Sequence, residues 1–240
     1  METLRGGAAA VLIGLATGLS IVALVLPLFL NPIWVSFEQG RAQATAWTGF
    51  TEPELRAATD SILADLVFGP PEFGVAVGGE PVLNDRERGH MRDVRGVFIG
   101  FFALAVLTAA AGLAIAARRR GADRARTWDA IRGGAVALVA VLLVGGVISI
   151  VAFDALFETF HAVFFQGGSY TFDPATERLV QLFPFQFWQE TAIFVGVVCI
   201  VVAAIVAVVA NELASIGRET VSTAAPTDAS ATAPATGPTR

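Results

Sequence analysis

The sequence predicts an all-α integral membrane protein, with four transmembrane helices and an extracytoplasmic cap formed by the loops between helices 1 and 2 and between helices 3 and 4. Three observations lead there. The chain is 55% hydrophobic and only 15% charged, too apolar for a domain with a water-facing surface. Four apolar runs, near Ala8 to Leu30, Gly96 to Ala117, Gly133 to Phe153 and Thr191 to Ala210, are long enough, at roughly 20 residues, to cross a hydrocarbon core of about 30 Å. The arginines, which supply all sixteen basic residues, are unevenly placed. With four spans, the termini and the short Arg118 to Arg132 turn share one side, which holds nine Arg and six acids; the other side holds seven Arg and fifteen acids. That bias predicts cytoplasmic termini and outward long loops.

The first run is too long for a cleaved leader and has no small-residue cleavage site before Asn31 and Pro32, so it reads as a retained helix. The single cysteine, Cys199, lies inside an apolar run and allows no intrachain disulfide. In the first long loop, Thr51 with Glu54 three residues on, and Pro53 in the first turn, marks a capped helix start. Leu55, Ala58, Ile62 and Leu66 then share one face until Gly69, Pro70 and Pro71 stop it. Phe73 to Leu83, with Gly78 and Gly79 between apolar pieces, reads as a small hairpin.

Asn84 with Glu87 starts another helix, unbroken to Ala117. This places His90 near the helix N-terminus, within the charged cluster Arg86, Glu87, Arg92 and Asp93. The third span is rich in small residues, Gly133, Gly134, Gly145 and Gly146 among them, which permit close helix approach. Directly beyond it Asp154, Glu158 and His161 stand at i, i+4 and i+7, one face of a continuing helix. A carboxylate so near hydrocarbon is a functional candidate by default.

His90 and His161 are the chain's two histidines, and the Arg-rich turn, centred near residue 125, is almost equidistant from both. An antiparallel hairpin of the second and third spans would therefore bring the imidazoles to one height. Phe164, Phe165, Tyr170 and Phe172, with Gly167 and Gly168, suggest a turn dipping to the interface. Asp173 and Pro174 read as the start of a short helix carrying Leu179, Leu182 and Phe183, closed by Pro184. Residues 1–217 thus form the membrane domain, its cap drawn from loops at about 31–92 and 154–190. Residues 218–240, Thr-, Ala- and Pro-rich, form a disordered cytoplasmic tail.

Two histidines at headgroup depth suit acyl chemistry on a lipid, because imidazole both takes and gives a proton near neutral pH. His90 and His161 are the candidate acid and base, with Asp154 or Glu158 orienting the His161 ring. Arg86, Arg92, Asp93, Phe164, Phe165 and Tyr170 are the candidate substrate contacts. No serine, cysteine or threonine stands out as a nucleophile, which favours direct transfer. Three other readings remain open. One is a metal-dependent hydrolase with His90, His161 and Asp154 or Glu158 as ligands; another makes the two histidines axial ligands of a haem between spans 2 and 3; the third is a non-enzymatic membrane protein whose outer cap binds a partner or lipid.

The segments ERGHMRDVRGVF (Glu87 to Phe98), FDALFETFHAVFF and FDPATERLVQLFPFQFW (between Phe153 and Trp188) closely resemble the signature blocks of the integral membrane family of the lipoprotein intramolecular transacylase, Lit. His90, Met91, Asp93, Val94, Phe160, His161, Phe164, Phe165, Leu182, Phe183 and Pro184 carry the resemblance. Tyr170 departs from it, standing where a tryptophan is expected. The resemblance implies a multi-pass protein of the bacterial cytoplasmic membrane. It also implies an acyltransferase that moves an acyl chain from the glyceryl group of a diacylglyceryl-cysteine lipoprotein to its α-amino group, with both histidines essential. The expected partner is that lipoprotein or a membrane lipid. No cofactor, metal or nucleic acid is expected.

Overall fold

The computed structural model describes residues 2–120, 122–165 and 169–223. Among these, four helices are long and apolar enough to cross a membrane: Gly6–Leu28, Asp85–Arg118, Asp123–Val151 and Phe185–Glu219. They extend past the apolar runs at several ends, because a helix continues for as long as its backbone bonds are satisfied, in lipid or out of it. Cys199 is buried and unpaired in the bundle core with Ile21, Val25, Ala135 and Ala203.

Helix α1 (Glu2–Val25) tightens into a 3₁₀ turn at Leu26–Leu28. Asn31 then starts a new helix: its side-chain oxygen accepts from the backbone N–H groups of Ile33 (3.0 Å) and Trp34 (3.1 Å). With Pro32 at the first position, this fixes α2 (Pro32–Arg41). Gln43, in the left-handed region at φ 54°, turns the chain into α3 (Ala44–Thr48). Helix α4 (Glu52–Val67) starts at the expected Thr51–Glu54 capping box, and the hairpin within Phe73 to Leu83 is a pair of two-residue strands, β1 (Ala76–Val77) and β2 (Glu80–Pro81). Helix α5 (Asp85–Arg118) begins at the second capping box, where Asn84 and Glu87 satisfy each other's backbone N–H groups.

The remaining elements are α6 (Ala122–Val151), α7 (Phe153–Phe164), α8 (Arg178–Leu182) and α9 (Phe185–Thr223). Residues of α2, α4, α5, α8 and α9, with Val82 just beyond β2, share one apolar core, including Val35, Ile62, Met91, Leu182 and Phe187. The two long connections are therefore one packed body at one end of the bundle.

Four sequence expectations change. The arginine turn is short, since α6 begins at Ala122 rather than after Arg132. The second and third spans do not form a packed hairpin either, because α1 lies between α5 and α6, and α6 packs chiefly on α9. The third span does not run on to His161: Ala152, at φ −147° and ψ 48°, separates α6 from α7. Finally, Asp173 and Pro174 do not begin a helix. The Asp173 carboxylate instead accepts from the Ala175 N–H (2.9 Å) in a turn, and α8 starts at Arg178. Gly167 and Gly168 lie outside the described residues. So does the tail from residue 224 on, whereas α9 carries residues 218–223 as helix.

Candidate active site

His90 lies one and a half turns into α5, where the apolar face of the cap meets the bundle, and its side chain is sunk among aromatics. Its ring centroid is 4.7 Å from that of Phe165 and 5.4 Å from that of Phe172, both edge-on. Helix α7 brings the second imidazole. With α5 ending at Arg118 and α6 beginning at Ala122, a straight α6–α7 helix would carry His161 eleven residues beyond the level of His90, about 16 Å at 1.5 Å per residue. The break at Ala152 turns α7 aside, and its last turn meets α5. The two rings stack with centroids 5.8 Å apart and planes 22° from parallel. His90 is 6% exposed and His161 8%.

The nitrogens of the two rings are held differently. Nδ1 of His161 lies 2.7 Å from the carbonyl oxygen of Phe157, one turn back on α7. A carbonyl only accepts, so Nδ1 carries the proton and Nε2 presents its lone pair. The Phe157 ring lies 4.1 Å and the Tyr170 ring 5.1 Å from the imidazole. Burial holds His161 below the ordinary imidazole value, with the Phe157 carbonyl pulling the other way. Nδ1 of His90 is buried with no hydrogen-bond partner among the described residues.

The carboxylates expected to orient His161 are not at its ring. Asp154 and Glu158 lie on the exposed surface of α7, and the orienting bond comes from the helix backbone. Nor, among the described residues, do three His, Cys, Asp or Glu side chains gather closely enough to hold a metal ion, as the hydrolase reading requires.

The candidate substrate contacts divide into two groups. Arg92, Asp93, Phe164 and Phe165 line an open cavity of about 590 Å³ between α5 and the end of α7, together with Gly96, Val97 and Ser169. Phe165 connects it to the pair, touching both imidazoles. Arg92 makes no hydrogen bond or ion pair among the described residues, and the Ser169 hydroxyl is buried without a partner. Ser169 was not foreseen, since an isolated serine between glycine and tyrosine carries no signal. Arg86 faces elsewhere: its guanidinium bonds Glu177 and the Thr171 carbonyl and lies over the Phe172 ring.

Two buried, stacked imidazoles, joined through Phe165 to a neighbouring cavity, form the candidate site of a multi-pass, four-span membrane protein. The family comparison is more specific. The model of the lipoprotein intramolecular transacylase Lit family matches residues 11–188 of the 240, and the chain belongs to that family. The structure is similar to the in meso structure of the membrane integral lipoprotein intramolecular transacylase Lit from Bacillus cereus. The TM-score is 0.71 at 14% identity, over 90% of this chain and 99% of that one. Two structures of the same Bacillus cereus protein, with a histidine replaced by arginine or by alanine, give 0.69 each at 15% and 16% identity. They cover 91% of this chain and 96% and 97% of theirs. A curated relative, an uncharacterized protein of Aquifex aeolicus (strain VF5), is 26% identical over 119 residues. That is 50% of this chain and 52% of the relative, so the chain spans about half the length of the curated relative it matches.

Proposed function

We propose that the chain is a lipoprotein intramolecular transacylase that moves an acyl chain from the glyceryl oxygen of a diacylglyceryl-cysteine lipoprotein to the α-amino nitrogen of that cysteine. The observation that carries this reading is the buried, stacked His90–His161 pair at 5.8 Å, in a chain whose family is that of Lit. The arginine bias supports cytoplasmic termini and an outer-face position for the pair, in what the reading takes to be a bacterial cytoplasmic membrane.

In this reading Nε2 of His161 takes a proton from the amine as the nitrogen attacks the ester carbonyl. A C–N bond forms, and the carbonyl oxygen becomes an oxyanion. Arg92 and the Ser169 hydroxyl, both at the cavity wall and without partners among the described residues, supply donors to that charge. Collapse breaks the C–O bond to the glyceryl oxygen. His90 protonates the departing alkoxide and is reprotonated from His161, so one proton passes from nitrogen to oxygen and both rings end neutral. Each such transfer contributes about 10² to 10⁴ in rate. The aromatic box excludes water, which would otherwise divert the acyl group to hydrolysis. The π faces of Phe157 and Tyr170 favour the transient imidazolium.

Mass spectrometry of lipoprotein N-terminal peptides, from a transacylase-free bacterial host with and without the chain, tests this. The expected product is an N-acyl, S-monoacylglyceryl cysteine that vanishes with His90→Ala or His161→Ala. Unchanged peptides in cells that accumulate the folded protein would leave the reading of a lipid- or partner-binding membrane protein.

A further inference from the structure

We propose that Arg86 is a positioning residue for His90, acting through the ring of Phe172. The inference rests on His90 being part of the reactive pair, and it reassigns Arg86 from the substrate contacts suggested by the sequence.

Arg86 sits one turn before His90 on α5, and its guanidinium is fully engaged with the segment after α7. Nη2 lies 2.6 Å from each Glu177 carboxylate oxygen, and Nη1 lies 2.8 Å from the Thr171 carbonyl oxygen. The same guanidinium covers the Phe172 ring, 4.7 Å from its centroid. The same Phe172 ring meets His90 edge-on, 5.4 Å between centroids. Glu177 is itself fixed, accepting from the Asp173 N–H (2.7 Å) and from Asn84 Nδ2 (3.4 Å), the residue that caps α5. One turn further on, Glu87, 1% exposed, accepts from the Leu179 N–H (2.6 Å) and ties the start of α8 to α5.

The consequence is mechanical. Thr171 to Leu179 is an irregular strap with no sheet partner and only a five-residue helix at its end. Arg86 and Glu87 grip it at two points on α5, and between those grips and the histidine stands one aromatic ring. Among the described residues no hydrogen bond at Nδ1 sets the orientation of His90, which leaves packing to do so, and Phe172 and Phe165 are its aromatic walls beside His161. Arg86 is absent from the lining of the cavity.

The test uses the purified full-length protein in bilayer discs and diethyl pyrocarbonate, which modifies accessible neutral imidazoles, with His90 and His161 quantified separately by peptide mass spectrometry. Arg86→Ala and Phe172→Ala are each expected to raise the His90 rate several-fold while leaving His161 unchanged, and the double variant is expected to match Phe172→Ala. Arg86→Lys, which keeps a cation but loses the planar fork, should fall between wild type and Arg86→Ala. With lipoprotein substrate, Arg86→Ala should lower kcat at least about tenfold at unchanged KM, as expected for misplacement of a reacting group. An unchanged His90 rate in Arg86→Ala, a matching rise at His161, or multiplying effects in the double variant would overturn the proposal. So would a raised KM at unchanged kcat, which would mark a substrate contact. If the wild type shows no transacylation, the modification rates still decide whether the clamp exists, and only the proposed activity fails.

Discussion

The Nδ1–H of His161 donates to the carbonyl oxygen of Phe157, 2.7 Å away and one turn back on the same helix. In an α-helix that oxygen ordinarily accepts from the backbone four residues on, so the imidazole shares an acceptor that the fold supplies anyway. The ring is thereby fixed in one tautomer without a carboxylate, and its Nε2 lone pair faces away from its own helix. In the proposed reaction His161 is the base, and it has to be neutral to work. Burial lowers its proton affinity, and the carbonyl only partly restores it. The acid limb of the pH–rate profile is therefore expected below the ordinary imidazole value of 6.5, with activity rising as pH rises through it. Initial rates of N-acylation from pH 4 to 8 measure this; a limb above that value would remove His161 as the neutral base.

The same bond makes Asp154 and Glu158 dispensable for orientation. Both are exposed on α7, where charge acts on the ring through a high effective dielectric. The double variant Asp154→Asn with Glu158→Gln is expected to change kcat by no more than about threefold, a small electrostatic effect at that dielectric. A loss of a hundredfold or more at unchanged KM in the same assay would restore the carboxylates to the machinery.

What the sequence made legible follows from which interactions have a local signature. The Thr51–Glu54 and Asn84–Glu87 capping boxes use side chains three residues apart, and both α4 and α5 start where those residues predict. The four apolar runs are equally local. Asn31 and Pro32 were legible only as an end, although they also begin α2; their capping chemistry reads in both directions. The break at Ala152 has neither glycine nor proline to announce it. The histidine pair was anticipated from a turn centre that proved wrong. The rings meet even so, because the break offsets a register error that a straight hairpin would have preserved. Phe157 could not be identified as the partner of His161, since its contribution is a backbone oxygen. Glu177 matters chiefly through its bond to Arg86, 91 residues away along the chain, and Ser169 through its place at the cavity wall.

The close approach of α1 and α6 sets a different expectation. At Gly134 an added Cβ would collide with the Gly14 backbone, whereas at Gly133 nothing stands within 4 Å. In lipid, helix association depends on such backbone proximity, because apolar burial gives no net drive there. Gly134→Ala is expected to destabilise the bundle by about 1 to 3 kcal/mol, the usual range for overpacking, and Gly133→Ala to be near neutral. Thermal unfolding in a mild detergent compares the two; equal melting temperatures would show that the helices part without cost.

Glu38 sets a pH dependence of stability that is separable from catalysis. Its side chain on α2 is fully buried, 3.9 Å from the Arg41 Nε, while Arg41 makes its close bond, 2.6 Å, to Glu190 on α9. Neither Glu38 oxygen has a hydrogen-bond donor among the described residues. Burial, reinforced by the neighbouring Glu190, pushes the Glu38 carboxyl up to about 7, so that a proton held on Glu38 can bridge the two carboxyls. For an acid whose folded value is raised, the native state binds more protons than the unfolded chain between the two values. Its contribution is thus full below 4.5 and is lost as pH rises through about 7. Buried His161, held low, acts in the opposite sense, so the informative quantity is the difference between wild type and Glu38→Gln, which holds its side-chain protons at every pH. Relative to that variant, wild type is expected to lose melting temperature steadily from pH 5 to pH 8. Parallel melting curves over that range would mean that the Glu38 carboxyl is ionised throughout and that Arg41 satisfies both carboxylates.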